Sequence, residues 1–302
     1  MLDDILHGAN NEDDLDFDIC QKLIKDEDLN TKNSSGFSPL LVAIWKKFPE
    51  ICKMLFKAGA DVNTIDSAGW TAPMWAVWMG EGLETEVLGL LIERGANLDV
   101  RDYIHGETAL FKAIDTSDED HNERVRMLVE AGANVNIRNI DGNTALMKEV
   151  EAGYEWAVTL LIEAGTDIEI KNNTGETALI LAAKDRNGMG QPKSIEALID
   201  AGAEVNVKDN LGRTPIIWAV DSGYAEIVRM LVDAGAGLST EDNEGWTALT
   251  VALSRNMFVI AQILIDHGAD EEINDPDGRR MLKEVVQYLR YKSKGERVLG
   301  YI

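Results

Sequence analysis

Apolar residues in this chain fall into pairs of short helical patterns, separated by polar turns that carry glycine. The uninterrupted stretch 209–242 shows one cycle. Asp209-Asn210-Leu211-Gly212 is turn chemistry, because glycine reaches backbone conformations that other residues resist. Thr214 then offers a hydroxyl at a helix cap, and Pro215 fills the first turn, where its missing N–H is not needed. Ile216, Ile217, Ala219 and Val220 predict a short helix with small residues where another helix must approach, ended by Ser222-Gly223. Ile227, Val228, Met230, Leu231 and Val232 recur at helical spacing and predict a second, more apolar helix. Ala234-Gly235-Ala236 stops it, with glycine in the C-terminal cap role.

That cycle is copied along the chain. Gly36, Gly69, Gly106, Gly142, Gly175, Gly212, Gly245 and Gly278 stand 33 to 37 residues apart. Gly59, Gly95, Gly132, Gly165, Gly202, Gly235 and Gly268 lead them by ten or eleven. A fixed period near 33 residues predicts an all-α solenoid, in which each repeat buries its apolar face against its neighbours. The longer periods come from extra residues between the two helices, in 79–86, 115–123 and 185–194, which are expected to be loops on one face. The last of these holds Gly188, Gly190 and Pro192 and is expected to be mobile.

The repeat unit resembles the ankyrin repeat. Its pattern of Gly-x-Thr-Pro/Ala-Leu, an Ala-centred helix and then Leu-Leu/Ile-x-x-Gly-Ala-x-Val-Asn stands here as Gly142-Asn143-Thr144-Ala145-Leu146, Gly175-Glu176-Thr177-Ala178-Leu179 and Gly245-Trp246-Thr247-Ala248-Leu249, with Ala131-Gly132-Ala133-Asn134-Val135-Asn136. Seven full repeats are readable over 32–275. A degenerate unit at 1–31 and another at 276–302 would cap them, making 1–302 one domain of about nine helical pairs. Two departures stand out. The family's usual histidine is replaced by Leu41, Met74, Phe111, Met147, Ile180, Ile217 and Thr250, so apolar packing is expected to stand in for its turn hydrogen bonds. Glu149 sits where other repeats place alanine, and a carboxylate at a small buried position is costly unless paired.

Composition narrows the partners. Lys plus Arg is 29 against 53 for Asp plus Glu, a net charge of −24. Such a surface repels phosphate backbones and anionic membranes, and favours a basic protein partner or simply keeps the molecule soluble. Residues 1–18 hold seven acids and no Lys or Arg, while 279–302 hold seven bases and two acids, as polar ends of an array would. No run approaches the 18 apolar residues of a membrane span. The first residues lack the basic flank and apolar core of a signal peptide. Cys20 and Cys52 lie at matching places in successive repeats, about 8–10 Å apart by helix packing and beyond disulfide reach. They are expected to be buried thiols, which points to the cytoplasm.

The resemblance implies binding by a concave surface made of turn tips and first helices. Phe37, Trp70 and Trp246 follow the turn glycine at the tip. Trp45 and Trp78 share one exposed first-helix column, and Trp75 and Trp218 share the column three residues earlier, on the same helical face. Six of the seven Trp therefore take recognition positions, with only Trp156 on a second helix. Trp is enriched at binding hot spots, although some of these rings are also placed to pack between repeats. The intervening repeats carry charge in these columns, namely Lys112 with Asp115, Lys148 with Glu151, and Lys184 with Asp185, followed by Asp221. Aromatic anchors near both ends with charges between suit a folded protein. Catalytic readings find little support. His7, His105, His121 and His267 lack metal-ligand spacing, the acidic run at 118–120 beside His121 reads as a solvated loop, and Gly188-Met189-Gly190 lacks the context of a phosphate loop. The expectation is a non-catalytic binder without cofactor or metal, monomeric alone. Its sharpest form is a stoichiometric, immunity-type inhibitor. An adaptor joining two proteins is the alternative, and an enzyme acting around Glu149 is a reading of a different class.

Overall fold

The computed structural model describes residues 2–9, 11, 15, 17–26, 28–79, 84–115, 120–184 and 191–269. The proposed C-terminal cap and the central parts of the three inserted segments lie outside them. The described residues hold sixteen α-helices and no strand, beyond one isolated antiparallel bridge between Ile65 and Thr71. This is the all-α repeat architecture that the period predicts. The chain divides into two compact units. The first comprises 1–148 with 163–166, and the second 149–162 with 167–302.

In the first unit the helices are α1 (Leu2–Gly8), α2 (Phe17–Asp26), α3 (Pro39–Trp45), α4 (Pro49–Ala58), α5 (Ala72–Trp78), α6 (Glu84–Glu93), α7 (Ala109–Ile114) and α8 (His121–Glu130), with α9 (Ala145–Ala152) beginning at its end. They form two layers. Helices α1, α3, α5 and α7 pack in sequence, and α2 packs on α4 and α6 on α8 behind them. The acidic N-terminal segment therefore contributes a helix pair that docks as a repeat does. The second unit continues with α10 (Glu155–Glu163), α11 (Ala178–Lys184), α12 (Pro192–Asp200), α13 (Pro215–Ser222), α14 (Ala225–Asp233), α15 (Ala248–Ser254) and α16 (Phe258–Asp266). There α11, α13 and α15 form one layer and α12, α14 and α16 the other.

The helix ends follow the sequence logic. Ser38 and Thr71 cap α3 and α5 by accepting from the N–H groups of Leu41 and Met74, and Pro39 and Pro73 fill the first turns. Thr214 takes the cap position of α13, but its hydroxyl makes no cap bond. Gly223 ends that helix in the left-handed region at φ 83°. Gly36 needs both its freedoms. Its φ is +81°, and a Cβ there would stand 2.6 Å from the backbone nitrogen of Ser67 in the next turn.

Burial is repetitive, as a solenoid demands. Leu41, Met74, Phe111, Met147, Ile180 and Ile217, the residues in place of the family histidine, are all within 2% of complete burial. Thr250 instead completes a capping box with Thr247. Cys20 and Cys52 are buried thiols. Repeats are also stitched at their turns. In the first unit, the N–H groups of Ser67, Tyr103 and Ile140 donate to the carbonyls of Ser35, Ala68 and His105. In the second, those of Asn210 and Asn243 donate to Thr174 and Leu211.

Candidate functional site

Each turn is organised by one Asp or Asn, three residues before the turn glycine (four at Asp102). Its Oδ1 accepts two backbone N–H groups, as Asn33 does from Ser35 and Phe37 and Asp66 from Ala68 and Trp70. Asp102, Asn139, Asn172, Asp209 and Asp242 repeat the arrangement. Apolar packing thus replaces the missing histidine only inside the helix, and these side chains hold the turn.

Where the turn residue is Asp, its second oxygen needs another donor, and the first helix can provide it. Trp75 Nε1 donates to Asp66 Oδ2 at 3.0 Å, Trp218 Nε1 to Asp209 Oδ2 at 2.8 Å, and Lys112 Nζ pairs with Asp102 Oδ2 at 2.8 Å. All three donors sit six residues after their turn glycine. Asp242, whose repeat has Val251 there, pairs instead with Arg213 Nε at 3.1 Å. The sequence signal was present in the pairing of Asp with a donor nine or ten residues on.

This bonding corrects two expected binding residues. Lys112, expected to meet a partner, is instead enclosed. It is 3% exposed and held between Asp102 and Glu107, at 2.6 Å from the latter, with Trp70 facing its ammonium at 4.8 Å. Desolvation pushes its pKa down, but bonding to the two carboxylates outweighs that and leaves it raised. Desolvation likewise pushes the Asp102 carboxyl up, while the pull of Lys112 and the His105 N–H leaves it below the ordinary value. Trp218 is 9% exposed, so it offers no anchor for a partner. Lys184 stands 4.2 Å and Arg213 4.8 Å from its ring centroid. Lys184 also pairs with Glu176, and its register is the ninth position after the turn glycine rather than the sixth.

The remaining expected binding aromatics of the first unit come together as one row. Trp45 meets Phe37 at 6.3 Å, Phe37 meets Trp75 at 5.3 Å, Trp75 meets Trp70 at 4.9 Å, and Trp70 meets Trp78 edge-on at 5.6 Å. His7 of α1 adds a ring 5.7 Å from Trp45. Trp45 and Trp78 are exposed by 38% and 44%, while Phe37, Trp70 and Trp75 are half-buried. Centroid separations of this size give the pairs energy beyond simple burial. Asp115, the exposed C-cap of α7, has the register of Trp78, and α7 packs on α5. Partial desolvation, and then Glu107, raise its carboxyl pKa against the opposing pull of Lys148, Lys112 and His105.

The other expected residues are dispersed. Lys148 and Glu151 are half-buried on α9. Asp221, in the second unit, pairs with Arg255 at 2.6 Å, and Trp246 is exposed there at its turn tip. Asp185 lies outside the described residues. The sequence reading missed the exposed turn-tip residues Tyr103, Ile104 and Ile140 of the first unit. Glu149 is fully buried in the second unit. His121 is buried with Nδ1 3.1 Å from the Ala113 carbonyl, and among the described residues no group of His, Cys, Asp and Glu is arranged for a metal. No described helix is long and apolar enough to cross a membrane.

A family model for ankyrin repeats in three copies matches the chain in overlapping registers, over residues 6–102, 85–172, 110–209, 147–241 and 179–277. Human ankyrin repeat and SOCS box protein 6 is 33% identical over 111 residues, which is 36% of this chain and 26% of that protein. The mouse B-cell lymphoma 3 protein homolog is 30% identical over 120 residues, 40% of this chain and 25% of that protein. The match spans about a quarter of the length of these relatives.

Proposed function

This chain belongs to the ankyrin-repeat family, whose repeats form protein-interaction modules, and we propose that it binds a basic protein through the aromatic row of its first unit. Trp45 and Trp78 are the anchors, Phe37, Trp70 and Trp75 the rigid floor, and Asp115 a rim charge. Lys112 acts beneath the surface by fixing Trp70. The connected row with two exposed indoles carries this reading. A preformed face has little to order on binding, so less contact energy is lost to entropy. The net charge of −24 steers a cationic partner in and speeds the encounter.

In this reading residues 1–302 are one repeat domain, non-catalytic, cytoplasmic and monomeric alone, that acts as a stoichiometric inhibitor of immunity type. An adaptor role is the second reading, favoured by Trp156, which is 45% exposed on α10 of the second unit. Co-purification followed by mass measurement of the complex separates the two, since the inhibitor gives one dominant basic partner at equal stoichiometry and the adaptor gives two partners at once. The binding face is tested by Trp45→Ala and Trp78→Ala, each expected to weaken the partner by about 2 kcal/mol with unchanged helicity. Unaltered affinity in both moves the interface elsewhere.

A further inference from the structure

The two exposed indoles of the first unit occupy one register of the repeat. Trp45 and Trp78 each stand nine residues after their turn glycine, on α3 and α5, which pack against each other. Packed helices lie about 8–10 Å apart, so the repeat itself sets the interval between the two rings. Phe37, Trp75 and Trp70 join them in one chain of ring contacts. The exposed Trp156 and Trp246 of the second unit have no such twin. Their registers hold Lys193 one repeat on and Arg213 one repeat back.

Two further observations define what fits the pair. The row already carries cations of its own, with Lys46 Nζ 5.2 Å from the Trp45 ring and Lys112 Nζ 4.8 Å from that of Trp70. Another cation on these rings would meet like charge, so a neutral apolar group suits them best. The second observation is the indole N–H. Trp75 spends its own on Asp66, whereas among the described residues neither Trp45 nor Trp78 donates to an acceptor. A matching ligand therefore offers apolar faces and free carbonyl oxygens together.

We propose that this pair takes a proline-rich segment of the partner in the polyproline II conformation, with prolines three residues apart seated on Trp45 and Trp78. This rests on the docking face proposed above and names the segment recognised there. Polyproline II has three residues per turn and rises about 3.1 Å per residue, so equivalent rings recur about every 9 Å, the interval of packed helices. Its carbonyls make no internal hydrogen bonds and are free to accept from the two indoles. An α-helix repeats near this interval too, at about 10.5 Å for seven residues, but its carbonyls are spent internally. A strand sends residues three apart to opposite faces. A third turn of the segment reaches the same register on α7, which packs on α5 and holds the exposed Asp115 there. Lys148, Lys112 and His105 already pull on that carboxylate, yet partial desolvation and Glu107 leave its pKa raised. A basic residue three beyond the proline on Trp78 therefore adds to binding without carrying it.

The test uses the full chain with its indole N–H signals resolved by NMR and assigned through single Trp→Phe variants. It is titrated with a capped oligoproline of about nine residues, three turns of the helix. A Gly-Ser peptide of equal length and an Ala-rich helical peptide with Leu at every seventh residue serve as comparisons. Oligoproline is expected to shift the Trp45 and Trp78 signals and to leave Trp156, Trp218 and Trp246 unmoved, and both other peptides should bind far more weakly. Trp45→Phe and Trp78→Phe keep a ring and lose the donor, and each should weaken oligoproline about fivefold, the worth of one hydrogen bond. A lysine added at the end of the oligoproline should tighten binding at low salt, and Asp115→Asn should cancel that gain. No shift at either indole, equal shifts at Trp156 or Trp246, tighter binding of the helical peptide, unchanged affinity in both Phe variants, or a lysine gain that survives Asp115→Asn overturns the inference. If Trp45→Ala and Trp78→Ala weaken the natural partner while oligoproline is inert, proline recognition fails and the docking face stands. If both variants keep full partner affinity, the docking face itself fails.

Discussion

Replacing Lys112 by Met is the most informative perturbation of the frame that carries the binding row. The change keeps the aliphatic stem and deletes the ammonium, which stands 2.8 Å from Asp102 Oδ2 and 2.6 Å from Glu107 Oε2. Two buried carboxylates are left facing one another, and removing one partner of a buried pair costs about 3–5 kcal/mol. Loss of the ammonium over Trp70 adds about 0.5–1 kcal/mol. Asp102 Oδ1 keeps its bonds to the Ile104 and His105 N–H groups, so the turn survives and the total falls near the lower end, about 3–4 kcal/mol. Urea unfolding followed by Trp fluorescence reads it directly. The pH dependence gives the sign. Asp102 has a lowered pKa, so its contribution is present above the ordinary carboxylate range and is lost as pH falls through the lowered value. Lys112 has a raised pKa, so its contribution is complete below 10.5 and is lost as pH rises through the raised value. The gap between wild type and Lys112→Met is therefore widest at neutral pH and narrows in acid, as Asp102 is protonated and its contribution is lost. A loss under about 1 kcal/mol, or a gap that widens toward low pH, refutes the reasoning.

Other consequences are as direct. Trp218→Phe removes the donor to Asp209 and should cost about 1–3 kcal/mol of stability by calorimetry while leaving partner affinity intact, because the ring is enclosed. Trp78→Ala should show the opposite balance, with a small change in melting temperature and a large one in affinity by titration calorimetry. Gly36→Ala forces a positive φ on a residue with a Cβ and crowds Ser67, and should cost about 1–3 kcal/mol in the same melts. Raising salt from about 0.05 to 0.5 M shortens the screening length and should slow association of the basic partner far more than it speeds dissociation, as read by stopped-flow fluorescence.

The periodic parts of this molecule were legible from its residues because glycine spacing, capping hydroxyls and helical apolar patterns are local signals. The pair α13 and α14, with Gly223 between them, lies where Thr214-Pro215, Ser222-Gly223 and the Ile227–Val232 pattern place it. The fates of Lys112 and Trp218 were not legible in the same way. Column position places both on the recognition face, yet each is drawn inward by the second oxygen of a turn aspartate, a demand set by hydrogen-bond accounting rather than by hydropathy. Pairing each turn Asp with a donor later in its repeat would have found Lys112, Trp75 and Trp218 together. The exposed Tyr103, Ile104 and Ile140 were overlooked because turns are read for polar residues, and only the structure shows those side chains standing in solvent.

Hydroxyl-radical footprinting of the chain with its co-purified partner tests the binding face most directly. Trp45, Trp78, Trp156 and Trp246 are exposed to similar extents, at 38%, 44%, 45% and 39%, so free protein should oxidise all four at comparable rates. With partner bound, Trp45 and Trp78 should be protected while Trp246 continues to react. Undiminished oxidation of Trp45 and Trp78, with protection at Trp156 or Trp246 instead, would contradict the assignment of the first-unit aromatic row as the docking face.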